Sequence, residues 1–241
     1  MNNTLLIIPA YNESSKIVNV IHKVNLYCNS MIDKICVIDD CSSDDTAEKA
    51  EKAGAFVLKH SKNLGVGAAI RTGLDYGYQE NYDIAVIISG DDQHDPQEMS
   101  KILNPLFDED YDFVQGSRFM KGGKTINQPF FRKILTMAYP VIFYGLTGRS
   151  CSDITNGFRG FRIKKIYDDP AIELHQNWLN RYELEVYLIY KVYNSKSYKK
   201  KEVPISIVYH NHLNERTKMK PLIDWWRIFR PMLLLKLRLK R

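Results

Sequence analysis

Apolar residues run along this chain in two rhythms. Short unbroken stretches, Leu5 to Ile8, Ile35 to Ile38, Ala55 to Leu58, Ile84 to Ile88 and Phe113 to Gln115, have the length and branched content of buried strands. Between them the apolar positions recur every three or four residues. This predicts helices over Ser14 to Tyr27, Asp44 to Ala53, Gly67 to Tyr78 and Pro96 to Phe107, the last with proline in its first turn. Such alternation specifies an α/β sheet, mostly parallel, with helices on both faces. In sheets of this kind ligands gather at the carboxyl ends of the strands. After residue 120 the alternation weakens. Lys121 to Lys124 reads as a loop, Pro129 to Gly145 as a helix with an aromatic and apolar face, and Arg149 to Arg162 as a polar turn. A helix over about Arg181 to Tyr193 and a strand over Glu202 to Val208 follow.

With 241 residues, 44% of them hydrophobic, the chain can bury one large core. We expect a single domain over residues 1–215 and a basic tail over 216–241. The net charge of +6 resembles a nucleic-acid footprint until it is located. From Arg216 to Arg241 nine basic residues face one acid, Asp224, so the tail carries +8 and the remainder −2. A nucleic-acid partner is therefore not expected. Cys28, Cys36, Cys41 and Cys151 form no CxxC pair, and the start of the chain reads as a strand, not a leader, which fits a cytoplasmic setting.

The candidate chemistry lies where the strands end. The first runs into Pro9-Ala10-Tyr11-Asn12-Glu13, the second into Asp39-Asp40-Cys41-Ser42-Ser43-Asp44, and the fourth into Ser89-Gly90-Asp91-Asp92-Gln93-His94-Asp95. Asp44 and Asp95 sit where helix caps are needed. Adjacent carboxylates repel unless a cation joins them. A hard divalent ion, Mg2+ or Mn2+, takes one or two carboxylates and completes its shell with phosphate oxygens and water. Asp91, with the amide oxygen of Gln93 two residues on, suits that ion. Asp92 either helps it or caps the following helix. Gly65 and Gly67 in "GVGAAI" depart from a dinucleotide fingerprint and read as a tight turn beside a donor.

In order, "IPAYNE", "VIDDCSSDDT", "NLGVGAAIRTG", "GDDQHDP", "GSRF", "DITNGFRGFR" and "EVPISIVY" resemble the family 2 nucleotide-sugar glycosyltransferases of GT-A, Rossmann-like fold. Within that family the chain is similar to the dolichyl-phosphate mannose synthases and bacterial polyprenyl-phosphate sugar transferases. The resemblance implies a UDP-, GDP- or dTDP-linked donor whose base and ribose meet Pro9, Tyr11, Glu13, Asp39 and Asp40. It implies a metal and diphosphate on Asp91 and Gln93, and a lipid phosphate on Arg118 and Arg132, whose planar forks match phosphate oxygens. It also implies a single in-line displacement with inversion. Two departures stand out. Ser89 occupies a place where the family usually has aspartate, so the site loses one charge unless Asp92 compensates, and "NERTKM" (214–219) matches only partly.

A polyprenyl phosphate is already anionic and needs no strong base. A sugar hydroxyl acceptor needs one, and Asp153 is the candidate, with Glu183 and Glu185 behind it. Asp153 reads equally well as an anchor for the Asn156-Gly157 turn. Loss of a carboxylate at Ser89 leaves a third reading, a non-catalytic nucleotide-sugar binding subunit. The tail, with Trp225, Trp226 and alternating basic residues, is too short in apolar run to span a bilayer and is expected to lie peripherally on a membrane surface.

Overall fold

The structure, a computed structural model, describes residues 3–209 and 223–240. In chain order the elements are β1 (Thr4–Ala10), α1 (Ile17–Cys28), β2 (Lys34–Asp39), α2 (Thr46–Lys52), β3 (Phe56–Lys59), α3 (Val66–Gln79) and β4 (Ile84–Ile87). Then come α4 (Met99–Asp108), β5 (Phe113–Ser117), β6 (Lys124–Ile126), α5 (Phe130–Thr147), β7 (Arg159–Arg162) and α6 (Ile163–Tyr167). The chain continues through α7 (Glu183–Asn194), β8 (Lys200–Pro204), β9 (Ser206–Val208) and α8 (Ile223–Lys236). The strand order is β3-β2-β1-β4-β7-β5-β8. β7 runs antiparallel to both of its neighbours, and the other pairs in this sheet are parallel.

The chain leaves β1 for β2 on one side and later returns to β4 on the other. The carboxyl end of β1 is thus a switch point where a crevice opens. Register keeps the strand ends level: Ala10 lies opposite Asp39, and Ile7 opposite Ile87. Helix-periodic apolar residues cover one face through Ile17, Val20, Ile21 and Val24 of α1, with Met99, Ile102, Leu103 and Leu106 of α4. Asp95 caps a single 3-10 turn, Pro96–Glu98, that leads into α4, its carboxylate accepting from Gln97 N at 3.0 Å while Pro96 fills the first position of that turn.

Three expectations are corrected. The stretch 149–162 is not all turn, because its last four residues form β7 in the interior of the sheet. Its "RGFR" composition hides a strand, since Arg159 is buried yet paired with Glu185. Glu202 to Val208 is two strands: β8 joins the main sheet and β9 pairs with β6, which begins at the end of the expected loop. Finally, α8 is no detached surface segment. Ile228, Met232 and Leu235 are buried in the main core, and Trp225 stacks on Tyr139 of α5 at 5.9 Å. Arg230 reaches Glu183 of α7 at 2.5 Å. The expected boundary at 215/216 and the "NERTKM" match lie outside the described residues.

Candidate active site

A cavity of about 830 Å³ opens at the carboxyl ends of β1, β2 and β4. Pro9, Tyr11, Glu13, Asp40, Asp91, Gln93, Arg118 and Arg132 all line it, and with Gly65, Asn156 and Ile207 all seven sequence motifs reach it; of the expected residues Asp39, Gly67, Asp92, Asp153 and Glu183 do not.

The loops after β1 and β2 are stitched together. Asn12, at φ 52, donates from its amide N–H to Ser42 Oγ at 2.9 Å and accepts from Ser43 N at 2.8 Å through its side chain. Asparagine tolerates this left-handed backbone better than most residues. Asp40 holds the next loop. Its carboxylate accepts from Leu64 N at 2.8 Å and Gly65 N at 2.7 Å, and meets His60 Nδ1 at 2.7 Å. These bonds engage both oxygens of Asp40. Asp39 differs: Oδ2 accepts from Ser42 N, whereas its buried Oδ1 has no hydrogen-bond partner among the described residues.

At the end of β4 the chain turns back on itself. Asp91 accepts from Gln93 N at 3.2 Å and from Gln93 Nε2 at 2.7 Å. Asp92 has φ 60 and turns the other way, onto Lys23 Nζ at 2.9 Å and Asn19 Nδ2 at 2.7 Å of α1. It is therefore unavailable to compensate for Ser89. His94 is buried and accepts from Ser89 N at 3.0 Å through Nδ1, which assigns the ring proton to Nε2, 3.1 Å from Asn156 Oδ1. Burial pushes the imidazolium pKa down, so the ring is neutral at physiological pH, a shift opposed by nearby Asp91. One imidazole thereby ties the end of β4 to the loop before β7.

Asp153 is fully buried and grips Arg118: Oδ2 takes the backbone N–H at 3.0 Å and Nε at 2.7 Å, and Oδ1 takes Nη2 at 2.7 Å. A carboxylate so occupied cannot accept a proton from a substrate in the cavity, which corrects its expected role as base. It fixes the guanidinium, whose Nη1 also donates to Tyr209 Oη at 2.8 Å. Arg132 lies over the Tyr209 ring at 4.8 Å from its centre. One tyrosine thus orients both arginines. Glu185 lines the cavity beside Arg159 at 3.2 Å, and burial raises its pKa.

Gly67 does not face the cavity. A Cβ there would lie 2.2 Å from Leu179 O and 2.3 Å from Arg181 O, so glycine lets α3 press against the 179–181 backbone, where Ala68 N donates to Asn180 O at 2.9 Å. Sequence reasoning missed several lining residues. Arg181 and Tyr182 come from the turn just before α7, and Trp225 and Ile228 from the tail helix. No local motif marks these positions, though two tryptophans in an apolar run were a signal for packing.

Comparison with known proteins agrees with this geometry. Residues 5–169 match the model of glycosyl transferase family 2. The chain is 33% identical over 184 residues to the undecaprenyl-phosphate mannosyltransferase of Micrococcus luteus, covering 70% of this chain and 71% of that one. It is 31% identical over 173 residues to the UDP-N-acetylglucosamine–dolichyl-phosphate N-acetylglucosaminyltransferase of Methanococcus voltae, covering 65% and 68%. Among solved structures, glucosyl-3-phosphoglycerate synthase of Mycobacterium tuberculosis, crystallised with Mn2+, UDP and phosphoglyceric acid, superposes with a TM-score of 0.70 at 18% identity, covering 98% of this chain and 78% of that one. The GT-A architecture and the family match together settle the class: the chain belongs to glycosyl transferase family 2 and is a glycosyltransferase.

Proposed function

We propose that the chain transfers a sugar from a nucleotide diphosphate to a polyprenyl phosphate, with inversion at the anomeric carbon. The observation that carries this reading is that Asp91 and Gln93 share one cavity with two arginines, Arg118 and Arg132, oriented by a common tyrosine. The first pair suits the donor's diphosphate through a cation, and the second suits an anionic acceptor. The relatives named for undecaprenyl-phosphate and dolichyl-phosphate transfer support the acceptor class.

The residues fit a divalent ion of the hard, oxygen-seeking kind. No group of three or more His, Cys, Asp or Glu is placed to hold a metal among the described residues, so a closed protein cage is not available. Mg2+ and Mn2+ in nucleotide sites need less: one or two carboxylates, with phosphate and water completing the shell. Asp91 supplies the carboxylate, and half a turn of the Gln93 amide presents its oxygen in place of Nε2. When bound, the ion would offset charge on the departing diphosphate. Around it, Tyr11 and Glu13 border the base and ribose. Arg118, preset by Asp153, and Arg132 hold the acceptor phosphate in line, so catalysis rests on positioning and charge and needs no strong base.

Transfer onto a sugar hydroxyl is the second reading, favoured by one observation: Glu185 is a cavity carboxylate with a raised pKa. The test is thermal stabilisation by UDP-, GDP- and dTDP-sugars with and without Mn2+, followed by transfer to polyprenyl phosphate. Asp91→Ala is expected to remove the Mn2+-dependent stabilisation. An undiminished shift in that variant, or turnover only onto sugar hydroxyls with strict dependence on Glu185, would overturn the polyprenyl reading.

A further inference from the structure

α5 is apolar on two sides, and only one of them is covered. Thr136, Tyr139 and Phe143 face inward and are buried. On the opposite side Phe130, Ile134, Met137, Val141 and Tyr144 follow the helical repeat and are 50–71% exposed, with Phe131 at 80% beside them. The stripe runs about 21 Å along the helix. A continuous outward apolar face of that length is atypical of a surface bathed in water and marks an interaction site.

Charge narrows the occupant. Residues 113–152, which contain α5, carry no acidic side chain and, besides Arg118 buried against Asp153, five basic ones (Lys121, Lys124, Arg132, Lys133 and Arg149). A second copy docking through this face about a two-fold axis would set these cations against their own counterparts. An anionic bilayer accepts both features, taking the apolar stripe below the headgroups and the cations among them. Placement agrees. Pro129, Arg132 and Thr136 at the start of α5 line the cavity, so a bilayer against this helix would bring lipid phosphates to the cavity mouth.

We infer that the outward face of α5 is the surface by which this protein lies on an anionic membrane. This adds a surface to the C-terminal tail, whose Ile228, Met232 and Leu235 are committed to the core while Trp226, Leu237 and Leu239 remain exposed. It deepens the proposed function, resting on it only for why the cavity should open at a bilayer.

The experiment is sedimentation of the full chain with phosphatidylcholine vesicles with and without phosphatidylglycerol. The double variant Phe131→Glu/Val141→Glu changes two highly exposed positions. The wild type is expected to bind the anionic vesicles, and the double variant to bind at least about tenfold more weakly. Lys133→Glu is expected to reduce the preference for anionic over neutral vesicles. Stabilisation by nucleotide sugars should persist in all variants, which shows that the fold and donor site survive. Equal binding by wild type and double variant would overturn the inference. So would a wild-type dimer that fails to bind vesicles and becomes monomeric in the double variant. Transfer to a short-chain polyprenyl phosphate in detergent is assayed on the same preparations. Its absence in the wild type counts against the proposed reaction and leaves the vesicle result to decide the docking face.

Discussion

Ser89 and His94 act on the same turn in different ways. Ser89 lines the cavity and its Oγ lies 3.5 Å from Asp91 N, but a hydroxyl brings no charge to a cation. Asp92, which could have supplied it, is held by Lys23. Ser89→Asp is therefore expected to tighten Mn2+ binding by about tenfold or more, since a second carboxylate adds a charged ligand. Titration of Mn2+ in the presence of UDP checks it, and unchanged affinity would show that Ser89 lies outside the ion's reach. His94 is testable by pH. Its folded pKa is lowered below 6.5, chiefly by burial, so in acid the unfolded chain binds more protons than the folded one. Its contribution to stability is complete above pH 6.5 and is lost as pH falls below that value through the folded pKa. Glu185, raised from 4.5, changes stability in the opposite direction, so the informative quantity is a difference between proteins. His94→Gln is expected to lower Tm at pH 7.5 yet flatten the decline of Tm between about pH 6.5 and 5 relative to wild type. Parallel Tm curves would show that His94 does not titrate in this window.

At the level of elements, β1 to α4 were legible because alternation, caps and strand-end acids all pointed to one architecture, and only the ends shifted by one to three residues. β7 was not legible. Its two arginines look solvated in sequence, and only the fold supplies the partner Glu185 for the buried Arg159 and the carbonyl of Leu106 for Arg162. Asp153 shows the same limit at the site: its position in "DITNGFRGFR" cannot reveal that three donors of Arg118 already claim it. Gly67 was recognised as needing to be small, but for contact with a ligand and not with the 179–181 segment. That difference gives a prediction. Gly67→Ala places a Cβ against two backbone oxygens, which must move, so a loss of about 1–3 kcal/mol is expected in chemical denaturation. Because Arg181 ends that segment and Tyr182 follows it, both lining the cavity, donor affinity should fall as well. A stable variant with normal donor affinity would show that the α3 contact does not position the cavity wall.

Taken as a whole molecule, the protein closes its site with its own C-terminal helix. Trp225 and Ile228 of α8 line the cavity while Met232 and Leu235 fill the core behind it, so one helix serves both wall and interior. Glu183, buried at the start of α7, makes the arrangement specific. Its carboxylate meets Arg230 at 2.5 Å and Arg227 at 3.9 Å, and would lose both cations if α8 departed. Removal of residues 223–241 thus costs the burial of Ile228, Met232 and Leu235, at about 1.5–3 kcal/mol each, besides the ion pairs of Glu183. The sum is comparable to the whole stability of an ordinary domain. A chain ending at residue 222 is expected to lose cooperative thermal unfolding and nucleotide-sugar stabilisation together. Were the tail only a membrane tether, the shortened chain would unfold cooperatively and bind donor normally, and that outcome would remove α8 from the catalytic unit. Arg230→Ala separates the electrostatic part: it leaves the apolar face of α8 intact, and is expected to lower stability by about 1–3 kcal/mol, because Glu183 loses its nearer cation and keeps only Arg227 at 3.9 Å.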